Sequence, residues 1–374
     1  MRRPPMRIFT TTINVFRFHD WFLSAVAFLL VAVGFAAIYS VDLSRGSSDK
    51  LVYFPRQFIA FLLGMVFLFI GGSVHRSLYQ ALVRPLSFVA GILLVAVLFF
   101  GETIRGTTGW FVLGSLGSFQ PAEFAKVALI LSFGALLLRI GRRFDSFQFL
   151  FASGILSLFF AGLILLQPDL GSAAIMMGLW IGMLLAATKQ KRYVLLAVAG
   201  LAVAMLVGWF FLFQPYQRER FLTFLQPERD PLGAGYNVTQ SIIAVGAGRI
   251  FGRGLGFGSQ SQLRFLPEAQ TDFIFSVIAE ELGFMGAFFV LVLYALLLYR
   301  LLTLARRCQD DFSAYTVVGV AWLFFIHIIL NIGATIGLLP ITGVTLPFLS
   351  YGGSSLLINF FLLGIVQSVS RSNS

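Results

Sequence analysis

A single carboxylate, Asp272, lies where a polar stretch passes into an apolar one, in the sequence FLPEAQTDFI of residues 265–274. A carboxylate held against a bound hydroxyl group can remove its proton as a general base. An acidic side chain at the mouth of a membrane-embedded segment is usually functional, because a charge is costly there. Asp272 is therefore the first candidate for a catalytic residue. At a helix start it also suits the structural role of a cap or dipole partner, although Thr271 is placed to serve as the cap.

Two more charged side chains share one helix face in the segment FQPAEFAK. Glu123 and Lys126 are three residues apart, which brings both to the same side of a helix that begins near Pro121. An ion pair inside an apolar helix is expensive unless each charge is matched. The two residues therefore form either a structural ion pair or part of the polar wall of a cavity.

The segments QPDLGSA and TDFIFSVIAEE add two acidic candidates. Asp169 follows Pro168, which interrupts one helix, and suits the N-cap of the next. Capping alone would explain Asp169, but its position also permits a role in a site. Ser276 and Glu280 follow Asp272 by about one and two helical turns. We therefore expect Glu280 on the same polar helix face as Asp272.

A long polar segment, residues 214–271, is basic and glycine-rich. The run GAGRIFGRGLGFG lacks the GxGxxG spacing and the strand–helix context of a nucleotide loop. Backbone N–H groups and arginines would nevertheless suit a phosphate-bearing ligand. A flexible hinge with solvated arginines is the structural alternative. The candidate cations are Arg218, Arg220, Arg249 and Arg253.

Residues 331–355 interrupt apolar sequence with prolines and glycines, in the stretch NIGATIGLLPITGVTLPFLSYGGSS. Irregular backbone at membrane depth is tolerated where it is buried or lines a cavity. This stretch is therefore expected to close the same pocket, with Ser350, Tyr351 and Ser354 as candidate contacts. His327, in the apolar helix before it, is expected to be a packed, hydrogen-bonded histidine.

These candidates must be positioned by a largely apolar chain. Hydrophobic residues make up 58% of its 374 residues and charged residues 11%, and the mean hydropathy is +0.89. A membrane-spanning helix needs about 20 apolar residues. We predict an all-α integral membrane protein with ten transmembrane helices, forming one polytopic domain over residues 1–374, with a long external loop, 214–271, between helices 7 and 8. The ten apolar windows lie near 20–40, 56–73, 82–100, 121–139, 147–166, 170–187, 193–213, 272–300, 312–337 and 351–370.

The basic residues predict the orientation, because Lys and Arg accumulate in cytoplasmic loops. Most of the 27 Lys and Arg occur at the two termini and in alternate loops. Both termini are therefore expected in the cytoplasm, with Asp272 outside. The formal charge of +11 then reflects topology and gives no indication of nucleic-acid binding. The residues concerned are Arg2, Arg3, Arg7, Arg17, Arg76, Arg84, Arg139, Arg142, Arg143, Lys189, Lys191, Arg192, Arg300, Arg306, Arg307 and Arg371.

Cysteine and histidine patterns add no further site. The one cysteine, Cys308, has no partner for a disulfide or a metal site, and an inert thiol is expected. No HExxH, CxxC or GxSxG pattern occurs. The sequence therefore assigns no metal ligands.

Five motifs together resemble the SEDS family, the shape, elongation, division and sporulation proteins. They are QPAEFAK, QPDLGSA, RFLTFLQPERDPLGAGYNVTQS, FLPEAQTDFIFSVIAEELG and GLLPITGVTLPFLSYGGSS, and they occur in the family's order between Trp110 and Ser355. The sequences TDFIFSVIAEELGF and NIGATIGLLPITGVTLP look more like the RodA branch, which serves elongation, than the FtsW branch, which serves division.

This resemblance implies a peptidoglycan glycosyltransferase of ten helices in the bacterial cytoplasmic (inner) membrane. It would polymerise lipid II at the outer face for cell elongation and shape, surrounded by membrane lipids. Its implied partner is a class B penicillin-binding protein, a transpeptidase that cross-links the product. Asp272 matches the family's proposed catalytic aspartate, Glu123 and Lys126 match its polar pair, and Asp169 matches the aspartate of its QPD motif.

The chain departs from the family pattern at two places. Members usually carry an arginine before the tryptophan of the second external loop, but here Gly109 precedes Trp110, and we expect Arg105 to substitute. Ala269 and Gln270 replace the commoner basic or histidine-containing residues before the TDF sequence. The ligand contacts of the second external loop are therefore expected to differ from the family's.

The implied reaction joins the 4-hydroxyl of one lipid-linked disaccharide to the anomeric carbon of another, with inversion, and expels a polyprenyl pyrophosphate. Asp272 would act as the base. Arginines of the long loop, with a divalent cation such as Mg²⁺ or Mn²⁺, would stabilise the departing charge. Two alternatives stay open: a transporter that flips lipid II, and a catalytically silent scaffold for the penicillin-binding protein.

Overall fold

A computed structural model describes residues 19–44, 51–104, 106–112, 114, 117–140, 147–211, 213–230 and 233–371. Ten helices in these ranges are long and apolar enough to cross a membrane, which confirms the predicted all-α membrane fold. The helices are α1 (Trp21–Leu43), α2 (Tyr53–Ser73), α3 (Arg76–Phe100), α4 (Pro121–Ile140), α5 (Phe147–Leu165), α6 (Leu170–Ala187), α7 (Lys191–Phe211), α8 (Pro215–Leu225), α9 (Ala234–Ala247), α10 (Ser259–Gln262), α11 (Ile274–Arg307), α12 (Asp311–Thr335) and α13 (Gly353–Arg371). Of these, α8, α9 and α10 are the short helices that do not belong to the ten spans.

Small residues allow α2 and α13 to pack closely along their length. A Cβ on Gly364 of α13 would lie 2.5 Å from the carbonyl oxygen of Leu68 in α2, and Gly71 faces Gly364 directly. Membrane helices associate through such small residues, because close backbone approach gains van der Waals contact. Most of α4, α12 and α13 is buried, whereas α7 is largely exposed. The core therefore lies around α4, α12 and α13, and α7 is at the edge of the bundle.

A small antiparallel sheet between α3 and α4 was not predicted. Its strands are β1 (Glu102–Ile104), β2 (Thr107–Val112) and β3 (Ser118–Phe119), in the order β1-β2-β3. The backbone N–H of Thr108 donates to the carbonyl of Gln167, 3.3 Å away, and joins the sheet to the turn between α5 and α6. Strands this short contain too few alternating apolar and polar residues to be recognised from sequence. Arg105, expected to replace the arginine missing at Gly109, lies outside the described residues.

The predicted long loop is partly helical. It contains α8, a 3₁₀ turn at Pro227–Arg229, α9 and α10. It is followed by a turn, and α11 begins at Ile274, two residues after Asp272. The described part of this segment is therefore a folded layer of short helices, not an open flexible loop. Arg2, Arg3, Arg7, Arg17, Arg142 and Arg143, which contribute to the predicted orientation, lie outside the described residues.

α11 is broken at Gly283, where the backbone has φ 67° and ψ −165°. The N–H groups that follow the break find partners in the glycine-rich run. Phe284 donates to the carbonyl of Arg249 at 2.8 Å, and Met285 donates to the carbonyl of Ile250 at 3.1 Å. The predicted continuous helix over 272–300 is therefore two helical pieces joined at one glycine.

The same run also binds the piece of α11 that precedes the break. The backbone N–H groups of Arg253 and Gly254 donate to the carbonyls of Glu280 and Glu281 at 3.0 and 2.9 Å. Gly252 has φ +81°, and a Cβ there would overlap the Glu281 carbonyl oxygen. The glycines of the run are therefore explained by close backbone contact with α11. We call residues 248–254 the glycine clasp.

Substituting Gly252 by alanine should destabilise the protein. The strained φ alone costs about 1–3 kcal/mol, and overlap with the Glu281 carbonyl adds to it. Thermal unfolding of the detergent-solubilised protein measures the effect. Gly256→Ala is the matched control, since Gly256 has φ +80° but open space around it, so its loss should be smaller. Equal melting temperatures for the two variants would contradict the overlap.

The end of the bundle opposite Asp272 carries a partly exposed ion pair, Arg76–Asp310, and Cys308. Arg76 and Asp310 lie 2.6 Å apart, Nη1 to Oδ2, and both are partly exposed. Burial, reinforced by Asp310 and opposed by Arg76, raises the pKa of the Cys308 thiol to about 11. A raised pKa leaves little of the reactive thiolate near neutral pH.

Cys308 is therefore expected to react slowly with alkylating reagents. Near neutral pH, iodoacetamide should modify it at least about tenfold more slowly than a free cysteine, and the rate should rise as pH approaches the raised pKa. Mass spectrometry of the intact protein over time gives both rates. Rapid labelling near neutral pH would show that the thiol is not protected as described.

Candidate active site

A cavity of about 1550 Å³ lies at the Asp272 end of the bundle. The sheet, the turn between α5 and α6, the layer after α7 and the stretch between α12 and α13 all contribute to its wall. Chain segments far apart in sequence therefore meet at one end of the helices. The predicted site residues that line it are Glu123, Lys126, Asp169, Arg220, Asp272, Tyr351 and Ser354.

Asp272 lies in the turn that precedes α11 and is half-buried. The N-cap position of α11 is Phe273, which has no side-chain cap bond, so the Asp272 carboxylate is not in the N-cap position. The Asp272 backbone N–H donates to the carbonyl of Glu268 at 3.2 Å. Gly343 lies across from the carboxylate, and a Cβ there would be 3.8 Å from Asp272 Oδ2. The turn therefore presents this carboxylate to the cavity.

Glu123 and Lys126 form a buried ion pair in the first turns of α4. Lys126 Nζ lies 2.8 Å from Glu123 Oε1, and the two side chains are only 1% and 8% exposed. Lys126 Nζ also lies 3.2 Å from Nε2 of His327. Nδ1 of His327 lies 3.0 Å from the carbonyl of Thr345, which can only accept, so Nδ1 donates and Nε2 accepts from the ammonium. The lysine is therefore held between a carboxylate and a neutral imidazole.

Asp169 has the capping role that its sequence predicts and also lines the cavity. Its Oδ1 accepts from the backbone N–H of Ser172 at 2.9 Å, at the start of α6. Its Oδ2 accepts from Nε2 of Gln120 at 3.2 Å. The backbone N–H of Gln120 in turn donates to Ser354 Oγ, 3.2 Å away. One hydrogen-bonded chain therefore connects α6, the start of α4 and the start of α13.

Three of the predicted arginines do not line the cavity. Arg218 donates to the carbonyl of Phe210 at 3.3 Å, and Arg253 Nε donates to the carbonyl of Ala247 at the same distance. Arg249 belongs to the glycine clasp, with φ 49°. Arg218 lies about 200° around α8 from Arg220, which does line the cavity, and the backbone of Arg249 and Arg253 is hydrogen-bonded along α11.

Glu280 is likewise outside the cavity lining, and the predicted polar face with Asp272 is wrong. Asp272 precedes the helix, so the angular spacing of helical residues does not relate it to Glu280. Glu280 accepts instead from the backbone N–H groups of Gln260 and Ser261, at 2.8 and 3.1 Å. Ser276 hydrogen-bonds to Ser241 at 2.7 Å. These side chains fix the layer of short helices onto α11.

Among the charged or ionisable side chains that line the cavity, sequence reasoning missed Arg56, Glu268 and His327. His327 was expected only to be packed, since a lone histidine in an apolar helix carries no pattern. Arg56, in the first turn of α2, is exposed and has no hydrogen-bond or ion-pair partner among the described residues. A signal for it exists, because an arginine at the predicted external end of a helix departs from the usual distribution.

No group of three or more His, Cys, Asp or Glu side chains in the described ranges is arranged to hold a metal ion. Two of the cavity carboxylates have protein partners: Glu123 pairs with Lys126, and Asp169 accepts from Ser172 and Gln120. The described side chains therefore offer no ready-made set of three protein ligands for a metal ion.

The chain is similar to known proteins over nearly its whole length. A family model described as cell cycle protein, covering FtsW, RodA and SpoVE, matches residues 20–374. Peptidoglycan glycosyltransferase MrdB of Escherichia coli is 37% identical over 344 residues, which are 91% of this chain and 92% of that protein. Stage V sporulation protein E of Bacillus subtilis is 35% identical over 361 residues, 94% of this chain and 97% of that one. A probable peptidoglycan glycosyltransferase FtsW of Trichlorobacter lovleyi is 36% identical over 361 residues, 94% and 93% of the two chains.

Two solved structures share the fold. A chain from work on the structural coordination of polymerization and crosslinking by a peptidoglycan synthase complex superposes with a TM-score of 0.78 at 35% identity, covering 95% of this chain and 98% of that one. The rod shape determining protein RodA of Thermus thermophilus gives a TM-score of 0.70 at 30% identity, covering 95% and 97%.

Proposed function

The chain belongs to the FtsW, RodA and SpoVE family, and from that premise we propose that it is a peptidoglycan glycosyltransferase that polymerises lipid II. The observation that supports this most directly is the single cavity that combines Asp272 with the buried Glu123–Lys126 pair. Relatives named for this activity align with more than nine-tenths of the chain, at 36% and 37% identity. The multi-pass helical bundle suits a substrate that carries a long lipid.

In the proposed reaction the 4-hydroxyl oxygen of one disaccharide attacks the anomeric carbon of a second. The new C–O bond forms as the bond from that carbon to the pyrophosphate breaks, and the configuration inverts in this single displacement. Asp272 accepts the hydroxyl proton. Pyrophosphate is already a good leaving group and carries the departing electron pair. The site therefore needs one general base and nearby cations more than a general acid that protonates the leaving group.

The cations proposed for the pyrophosphate come from the cavity wall. Arg220 lies there, as predicted, and Arg56 joins it from α2. Arg218, Arg249 and Arg253 are not among the lining residues, so we propose no contact from them to the reacting groups in this conformation. Lys126 contributes positive charge at a fixed point, because Glu123 and His327 both hold it.

The cavity walls also suit polyprenyl tails. Ile59 and Leu63 of α2, Leu158 of α5 and Met205 of α7 line the cavity and are each about half exposed. Such accessible apolar side chains suit an apolar ligand more than a sugar. We therefore propose that the tails stay in the membrane while the sugars reach Asp272.

We further propose that the Asp272 end faces outward across the bacterial inner membrane, with both termini in the cytoplasm. The distribution of arginines supports this orientation. A class B penicillin-binding protein is the proposed partner, in line with the similarity to a chain from a peptidoglycan synthase complex. Cell elongation and shape is the proposed duty, although relatives include proteins named both FtsW and MrdB.

The proposal is tested by incubating the purified protein with labelled lipid II, with and without a class B penicillin-binding protein, and resolving the products on a gel. Glycan chains should form with the wild type and not with heat-denatured protein. If no chains form even with the partner and Mg²⁺ or Mn²⁺, lipid II movement across liposomes decides between a transporter and a scaffold.

We also propose that a divalent cation assists the departing pyrophosphate, although the described side chains offer it no protein-only site. EDTA treatment followed by addition of Mg²⁺ or Mn²⁺ in the same gel assay tests this. Chain formation that is lost with EDTA and restored by either ion supports the requirement, and chain formation unaffected by EDTA rejects it.

A further inference from the structure

Three successive carbonyl groups next to the Asp272 carboxylate each accept a hydrogen bond from residues 331–351. The backbone N–H of Tyr351 donates to the carbonyl of Gln270 at 2.8 Å. The hydroxyl of Ser350 donates to the carbonyl of Thr271 at 2.7 Å. Nδ2 of Asn331 donates to the carbonyl of Asp272 itself at 3.0 Å. Every peptide carbonyl from residue 270 to residue 272 is therefore fixed from outside the turn.

Asn331 has a second partner on the opposite side of the carboxylate. Its Nδ2 also donates to the carbonyl of Val344, 2.8 Å away. Val344 lines the cavity next to Gly343, which faces the carboxylate of Asp272. One side-chain amide therefore ties the backbone of Asp272 to the cavity wall across from it.

The orientation of the Asn331 amide is determined by its partners. Two carbonyl oxygens face it, and only the NH₂ group, with two hydrogens, can donate to both. Asn331 is 3% exposed and is not among the cavity-lining residues. It is thus placed to act on the site through the backbone and not through contact with a ligand.

Ser350 is fixed in the same way. Its Oγ accepts from the backbone N–H of Leu346 at 2.8 Å, so its own hydrogen is committed to Thr271. Gln57 of α2 donates to the Ser350 carbonyl and accepts from the N–H of Gly352, both at 3.1 Å. The support behind Asp272 therefore reaches the closely packed α2–α13 pair.

We propose that Asn331 is a positioning residue for glycosyl transfer, which holds the Asp272 carboxylate at a fixed distance from the wall at Val344. The inference rests on the proposed role of Asp272 as the base. A base must lie within hydrogen-bond reach of the proton it removes. A displacement of about 1 Å at such a group can cost on the order of 100-fold in rate. Loss of the amide donors should therefore reduce turnover while leaving substrate binding largely intact.

The test compares Asn331→Asp and Asn331→Ala with wild type in the lipid II polymerisation assay. Asn331→Asp keeps the shape but replaces the donor with an acceptor facing two carbonyls. Both variants should lower kcat by about 10–100-fold and change the KM for lipid II by less than about threefold. Gln367→Ala is the matched control, because Gln367 is a buried carboxamide that donates to the Asp20 carbonyl at the opposite end of the bundle. It should leave kcat unchanged.

A double-mutant cycle separates positioning from general destabilisation. Adding Asn331→Ala to Asp272→Ala should lower the residual rate no further, since no base remains to be positioned. An Asn331→Asp protein with kcat within about threefold of wild type, or a further loss in the double variant, would overturn the proposal. If the Asn331 variants fail to fold, Ser350→Ala carries the same kcat test, with the buried Ser153→Ala as its control. A fully active Asp272→Ala protein would reject the proposed role of Asp272 as the base. If Asp272→Ala is inactive but Asn331→Asp is fully active, only the positioning role of Asn331 is rejected.

Discussion

Replacing Asp272 by alanine is expected to slow glycan polymerisation by about 10²–10⁴-fold, the range that general-base catalysis contributes. The carboxylate lines the cavity and does not occupy the N-cap position of α11, so removing it takes away the proposed base and leaves the helix without loss of a cap. Asp272→Asn should be impaired to a similar degree, because an amide of the same shape cannot accept the proton. Gel analysis of products from labelled lipid II, under single-turnover conditions, measures the rate.

The matched control for this prediction is Glu219→Ala. Glu219 is an exposed carboxylate on α8 that does not line the cavity. Its removal should leave the rate unchanged, and the melting temperatures of all three variants should stay close to wild type. An Asp272→Ala protein that polymerises lipid II at the wild-type rate would rule out the assigned base.

Removing Lys126 is expected to have the second large effect, on both stability and activity. Lys126→Met leaves the Glu123 carboxylate buried without its cation, and breaking a buried pair in this way costs about 3–5 kcal/mol. It also removes the positive charge that Glu123 and His327 hold in the cavity wall. The variant should therefore melt well below the wild type and make little polymer.

The double variant Glu123→Gln, Lys126→Met distinguishes the two effects. With both charges gone it should recover much of the lost stability, since no buried charge is left unmatched, yet remain poorly active. Arg76→Met is the matched control at an exposed pair, Arg76–Asp310, where the cost should be about 0–1 kcal/mol. If Lys126→Met and the double variant unfold at the same temperature, the two charges are not coupled as the 2.8 Å contact indicates.

Much of the helical framework could be predicted, because a bilayer requires long apolar windows that single residues do not obscure. The ten windows correspond to ten described helices. The Glu123–Lys126 pair and the Asp169 cap were also accessible, since both depend on spacing within one segment. The sequence was sufficient for features that depend on residues a few positions apart in one helix.

The features that sequence missed depend on contacts between distant segments. Gly283 is a lone glycine after Glu280 and Glu281, which a helical pattern tolerates, so local sequence does not predict a break. The glycine clasp binds on both sides of that break. The arginines at 249 and 253 were assigned to a ligand, because composition does not reveal whether a glycine run serves a phosphate or a neighbouring helix. The support that Asn331 gives to Asp272 likewise joins residues 59 positions apart.

The break at Gly283 also divides α11 at the point where exposed apolar side chains begin. The 34 residues of α11 would extend about 51 Å as one rod, far more than the roughly 30 Å hydrocarbon core. The piece after the break is about 36 Å long by the same rise, and exposed Phe284, Met285 and Phe288 start at its first turn. The shorter piece, residues 274–282, is almost entirely buried in the protein, and the longer piece alone is enough to span the hydrocarbon core. Gly283 thus limits how much of α11 has to cross the membrane, and we expect the Asp272 carboxylate, which precedes the shorter piece, at the membrane–water boundary.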